Sequence, residues 1–251
     1  MAWLTDVHIH LSDSEYSGDM GYILTAMDKM KIRACCVSMD NASSKSTLDL
    51  SRRSPLVLPF IGIHPEKAND DLNTMVNLIT QNSSNISGIG EIGLDKTYVS
   101  DESGFSRQVQ VFQEMLLLAE KLNKPVSIHS RKTLDEIFSI LPSYSLKGVL
   151  LHWFSGSKAQ LQKAMELGCF VSYGPAVLYA GDKQVLLSET SLDKILLETD
   201  GPVRFSRCFG LKTAQITFLP SVLFCAANIL KKTYDEMLLI VEKNVDSYLG
   251  V

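Results

Sequence analysis

Five histidines occur in this 251-residue chain, and each sits beside an apolar, strand-like run. His8 and His10 stand in LTDVHIHL, His64 in FIGIHP, His129 in VSIHSR and His152 in VLLHWFSG, and four of the five lie where the run ends. Two acids occupy matching places, Glu91 in GIGEIGLD and Asp200 in LLETDGP. Parallel barrels deliver catalytic groups from the carboxyl ends of their strands, so side chains placed this way can converge on one pocket. Imidazoles and carboxylates gathered there form the mixed nitrogen and oxygen donor set of a divalent-metal hydrolase.

Side-chain alternation sharpens the assignment. Residues two apart on a strand share a face, so His8 and His10 point the same way and can chelate one ion. Asp6 has the same parity one rung lower and is expected to hydrogen-bond a ligand imidazole, fixing its tautomer. Glu91 lies among Ile86, Ile89 and Ile92. A buried carboxylate is costly without a cation or donors, and a bidentate glutamate can bridge two ions. Asp95, of the same parity as Glu91, either backs the ligands or caps the next segment. His129 is expected as a ligand. Arg131, on its face, either clamps phosphate or pairs with a buried acid such as Glu198. His152 completes the second set of nitrogens. Trp153, of opposite parity, is expected to pack against helices rather than to stack a base.

Asp200 can touch the metal while orienting the attacking water and accepting its proton. The expected ligands are therefore His8, His10, Glu91, His129, His152 and Asp200, with Asp200 and Glu91 catalytic. These six suffice for two ions, so His64 is assigned with Arg131 to the substrate. The cofactors are two divalent ions, and this donor set suits Zn, Mn or Mg without choosing between them.

These residues need a scaffold. Short apolar runs at 3–9, 33–39, 56–63, 86–92, 125–129, 148–153, 169–173 and 194–199 alternate with helix-period segments near 19–31, 45–53, 69–82, 104–123, 132–141, 157–167, 181–190 and 212–231. A last helix is expected near 233–249. Eight strands with eight crossovers predict a single (β/α)8 TIM barrel over 1–251 with an extra C-terminal helix, ahead of an open doubly wound sheet. GIGEIG does not have the glycine spacing of a dinucleotide-binding turn.

Hydrophobic content of 45% and charged content of 21% fit a globular chain with a large core. The net charge of −4 argues against holding nucleic acid on a broad basic surface. Five cysteines, odd in number and irregularly spaced, suggest reduced thiols rather than a disulfide framework. The N-terminus has no basic segment leading an apolar one, and no apolar run approaches the roughly 20 residues of a membrane span. The expectation is a cytoplasmic protein with no membrane association and no obligate protein partner.

The elements DVHIHL, GIHP, GEIGLD, PVSIHSR, HWFSGS and LLETDGP, in this order across residues 6 to 202, resemble the TatD family of metal-dependent hydrolases, within the amidohydrolase-like barrels. The resemblance implies phosphodiester hydrolysis on DNA, as a 3′–5′ deoxyribonuclease with a dinuclear site and metal-activated water. It implies that His8, His10, Glu91 and Asp200 hold one metal and that Glu91, His129 and His152 hold the other. After Asp200 the chain reads VRFSRCFGLKTAQITF, without the Asn-Glu-Pro tripeptide usual in the family. The expected substrates are DNA or a small phosphoester. The alternatives are an amidohydrolase-type enzyme acting on amide, lactone or phosphotriester bonds, and a non-catalytic, metal-retaining binding protein.

Overall fold

The computed structural model describes residues 2–251. Eight parallel strands run in sequence order around one sheet. They are β1 (Leu4–Ile9), β2 (Ile32–Cys36), β3 (Val57–Ile61), β4 (Gly88–Asp95), β5 (Val126–Arg131), β6 (Val149–Leu151), β7 (Phe170–Tyr173) and β8 (Ile195–Leu197). The helices between and after them are α1 (Met20–Met30), α2 (Asn41–Arg53), α3 (Leu72–Gln81), α4 (Glu102–Leu122), α5 (Leu134–Ile140), α6 (Lys158–Glu166), α7 (Gly181–Glu189), α8 (Leu219–Ile229) and α9 (Tyr234–Leu249). The fold is a (β/α)8 TIM barrel, and α9 is the extra C-terminal helix. Among the described residues, no helix is long and apolar enough to cross a membrane.

Local chemistry sets the helix limits. Ser157 caps α6 through a reciprocal pair with Gln160, and Thr233 caps α9 in the same way with Glu236. The helix expected over 212–231 begins only at Leu219, after a 3-10 turn at Ile216–Phe218. Pro220 explains the late start, because its ring fits the first helical turn and it lacks the N–H needed further in.

Two buried clusters divide the apolar side chains. The larger joins the strands to the surrounding helices. The smaller gathers Val7, Cys35, Phe60, Leu150, Phe170 and Leu196, one from each of six strands, with Tyr248 and Leu249 of α9. Side chains from six strands of a closed sheet can meet only in its lumen. The Tyr248 ring lies 6.1 Å from Phe60 and 5.7 Å from Phe170, and its hydroxyl donates to the Val126 carbonyl at 3.1 Å. The end of α9 therefore plugs the amino-terminal mouth, and the lumen opens at the other end.

Alternation then places the polar layer. His152, Ser172 and Glu198 stand two residues beyond Leu150, Phe170 and Leu196, so they occupy the next lumen layer towards the carboxyl ends. Asp200 follows one layer higher. The barrel closes between β8 and β1 through backbone groups just past the strand ends. The Asp200 N–H donates to the His8 carbonyl at 3.0 Å, and the His10 N–H donates to the Gly201 carbonyl at 2.8 Å. Asp6 supports this seam. Its carboxylate accepts the Thr199 N–H at 3.1 Å, the Thr199 hydroxyl at 2.5 Å and the His8 N–H at 3.2 Å. Asp6 thus bonds backbone and threonine rather than a ligand imidazole, because the β1 register shifts between Asp6 and Ile9 and carries it into the seam.

Candidate active site

Glu91 is the centre of the site. It is 3% exposed, and its two oxygens face different imidazoles. Oε2 lies 3.4 Å from His8 Nε2 and 3.3 Å from His10 Nε2. Oε1 lies 2.9 Å from His152 Nε2, 3.0 Å from His129 Nδ1 and 3.5 Å from His64 Nε2. Asp200 Oδ1 closes the first group at 3.8 Å from both His8 Nε2 and His10 Nε2. The β4 register shifts between Ile89 and Ile92, which flank Glu91. Further along β4, Gly93 pairs with His129, and a Cβ at Gly93 would overlap the His129 carbonyl, so only glycine lets β5 approach this closely.

Hydrogen bonds at the second ring nitrogen constrain what His8, His129 and His64 can do. His8 Nδ1 sits 2.8 Å from Ser127 Oγ, while its buried Nε2 has no hydrogen-bond partner. With its proton on Nδ1, His8 aims a bare lone pair at the Glu91–Asp200 gap. His129 lies between two carboxylates, with Nε2 2.8 Å from Asp95 Oδ2 and Nδ1 3.0 Å from Glu91 Oε1, so Nε2–H donates to Asp95 and loss of the Nδ1 proton would free that nitrogen for an ion. His152 Nε2 faces Glu91 Oε1 at 2.9 Å, while its buried Nδ1 has no hydrogen-bond partner and lies 3.9 Å from Glu198 Oε2. His64 differs. Its Nδ1 accepts the Glu66 N–H at 3.2 Å, so Nε2 carries the proton and the ring presents a donor rather than a lone pair. Separation alone would group His64 with Glu91 and His129 as three donors within reach of one ion. The tautomer argues against ligation by His64.

Electrostatics favour a cation here. Burial opposes ionisation of Glu91, yet the imidazoles of His64, His152 and His8 hold its carboxyl well below the usual range. Burial, then the charges of Glu198, Glu91 and Asp6, holds Asp200 well above it. Burial likewise raises Glu198, and pushes Asp6 up to about 7. Burial would depress His129, but Asp95 and Glu91 lift it to about 9. Four buried acids gathered around imidazoles, with His8 Nε2 left unpartnered among them, are a donor set that divalent cations fit.

The residues expected from sequence all come to one mouth. His10, His64, Glu91, His129, Arg131, His152 and Asp200 line a cavity of about 640 Å3, with His8 directly beneath. Arg131 is exposed at its edge. The alternative pairing of Arg131 with Glu198 does not form. Glu198 lies deep in the lumen, where it accepts the Ser172 hydroxyl at 2.5 Å and the Trp153 N–H at 2.8 Å.

Trp153 also departs from expectation, because it lines the cavity instead of packing on helices. Its φ of +42° breaks the alternation after β6, and Phe154, 2% exposed, takes the core position instead. Asp95 performs both roles open to it: Oδ2 bonds His129, and Oδ1 accepts the Thr97 N–H at 2.7 Å.

Two residues behind the ligands escaped the sequence reading. Ser127 was within reach of it, since it shares the His129 face two residues earlier on β5. Gln108 was not. From the buried side of α4 its Oε1 accepts the Asp95 N–H at 2.9 Å, and its Nε2 donates to the Asp95 carbonyl at 3.0 Å. Nothing in a helical stripe marks that glutamine as a clamp on β4.

Residues 5–250 match the family model described as TatD related DNase. The putative deoxyribonuclease TATDN3 of Mus musculus is 32% identical over 213 residues, covering 79% of this chain and 72% of that protein. The uncharacterized metal-dependent hydrolase YabD of Bacillus subtilis is 26% identical over 248 residues, covering 96% of each. The crystal structure of YjjV, a TatD homolog from Escherichia coli K12, superposes with a TM-score of 0.90 at 23% identity, covering 99% of this chain and 98% of that one. The chain belongs to the TatD-related DNase family, and it is a metal-dependent hydrolase.

Proposed function

We propose that this protein hydrolyses phosphodiester bonds of DNA as a 3′–5′ deoxyribonuclease with two divalent ions. The observation that carries the reading is the division of imidazoles between the two oxygens of Glu91: His8 and His10 on Oε2, His129 and His152 on Oε1. In this reading His8, His10, Glu91 and Asp200 hold one ion, and Glu91, His129 and His152 hold the second. When bound, such a pair polarises the phosphoryl oxygens and makes water acidic enough to attack near neutral pH.

The protein's own groups do the rest. Asp200, at the open end of the first group, orients the attacking water and accepts its proton. Ser127 and Asp95 hold the His8 and His129 rings so that one lone pair of each faces the centre. Burial lowers His64 to about 4, so it is neutral at pH 7 and its Nε2–H can donate to a non-bridging or leaving oxygen. Arg131, exposed at the rim, can meet the phosphate of the next nucleotide. Relatives named as deoxyribonucleases support DNA as the polymer.

The test is turnover of single-stranded DNA and of a simple phosphodiester by protein loaded with Mn, Mg or Zn, alongside a panel of amides and lactones. Metal-dependent cleavage of DNA that chelator abolishes, with oligonucleotides shortened from the 3′ end, is the expected result. Faster hydrolysis of an amide or lactone than of any phosphodiester would overturn it.

A further inference from the structure

The cavity is larger than the metal ligands require, and apolar side chains form part of its wall. Met39, Tyr98, Trp153, Pro202 and Val203 line it together with the ligands. Trp153 directly follows His152, and its backbone lies in the left-handed region that bulky residues avoid. Buried groups hold it there. The Glu198 carboxylate accepts its N–H at 2.8 Å, and Ser172 Oγ lies 3.3 Å from the same nitrogen. Phe205 braces the indole from the loop after β8, with ring centroids 5.3 Å apart and planes at 32°. Phe205 is itself 4% exposed, so the brace is fixed, whereas Trp153 remains half-buried.

A core tryptophan would need none of this. The strained turn turns the large ring away from the helices, gives the core position to Phe154, and leaves the indole at the mouth beside the ligand His152. We infer that Trp153, braced by Phe205, is the platform on which the nucleobase next to the scissile phosphate stacks. This rests on the phosphodiesterase reading and names the part of the substrate that reading leaves open. A base has a π face whatever its sequence, so an indole platform positions a nucleotide without choosing among bases. Trp153 is thus a positioning residue that selects nucleoside esters over simple ones.

The test compares thymidylyl-thymidine with two analogues that lack the base on the 5′ or the 3′ side. Wild-type protein prefers a base on at least one side by about tenfold in kcat/KM, chiefly through KM, as loss of one stacked base implies. Trp153→Ala erases that preference, while Trp153→Phe keeps most of it. Equal cleavage of all three by the wild type, or an equal loss on all three in Trp153→Ala, overturns the inference.

A second measurement is independent of turnover and of the folding of those variants. The chain has two tryptophans, and Trp3 precedes β1 at the opposite end of the barrel. In Trp3→Phe, fluorescence therefore reports Trp153 alone. Thymidine 5′-phosphate should quench it saturably in metal-free protein, and deoxyribose 5-phosphate should not. Identical responses to both sink the platform while leaving hydrolysis untouched. Quenching by the nucleotide with no cleavage of any phosphodiester sinks the phosphodiesterase reading while keeping the platform.

Discussion

The backbone N–H of Asp200 donates to the carbonyl of His8 at 3.0 Å, so the hydrogen bond that closes the barrel joins two residues of the candidate metal site. The first and last strands meet only if this seam forms, and the seam sets the distance between the His8 imidazole and the Asp200 carboxylate. Folding and site assembly are here one event.

Asp200→Asn keeps the shape of that side chain and removes its charge and basicity. A group that takes the proton from the attacking water contributes about 10²–10⁴ in rate. The variant should lose kcat by about that factor on DNA with little change in KM. Steady-state kinetics at saturating metal measures it, and activity within threefold of wild type would remove Asp200 from the proton transfer.

Asp95 touches His129 and makes no contact with Glu91 or His152 among the hydrogen bonds of the site. Asp95→Asn weakens the hold on the ring, and groups of this kind govern metal affinity by about 10–100-fold. One ion should weaken and the other stay tight. Titration with Mn followed by calorimetry should therefore resolve two unequal steps, where loss of both or of neither contradicts the division of ligands at Glu91.

Thr199→Val tests the seam from the other side. The Thr199 hydroxyl donates to the buried Asp6 carboxylate, and valine removes that donor at nearly constant volume. A buried acceptor stripped of a partner costs about 1–3 kcal/mol. Urea unfolding of the metal-free variant should show that loss, and an unchanged midpoint would mean that Asp6 does not support the closure.

Metal-free protein should lose stability as pH rises from about 6.5 towards 9. His129 titrates at about 9 in the folded state against 6.5 unfolded, so above pH 6.5 the native chain holds more protons and stability falls as pH rises towards 9. Asp6, raised from 3.8 to about 7, makes stability fall with rising pH across that whole interval, so it adds to the decline up to pH 7 and offsets His64 at lower pH. His64, lowered from 6.5 to about 4, acts oppositely, because there the unfolded chain holds the extra proton and stability rises with pH from 4 to 6.5. Saturating divalent metal needs a neutral His129 and displaces its proton, so the decline above pH 6.5 should flatten when metal is added. Denaturant midpoints across pH with chelator and with Mn measure the decline and its flattening. A metal-free protein that gains stability between pH 7 and 9 would contradict the assignment.

The barrel and the cast of its site are already legible in the order of residues. Alternating apolar runs and helical stripes impose strands and crossovers, and a polar residue at the end of an apolar run has one economical place, the carboxyl mouth. That logic named His8, Glu91, His152 and Asp200 before any coordinate. It failed where periodicity breaks. The register shift in β1 sent Asp6 to the seam, the left-handed turn at Trp153 exchanged its place with Phe154, and Pro220 delayed α8. Which nitrogen of His8, of His129 and of His64 faces the centre is settled only in the folded chain. That choice belongs to Ser127, Asp95 and the Glu66 N–H, groups distant in sequence or held in a turn, and hydrogen-bond partners across a barrel leave no periodic trace in the chain that supplies them.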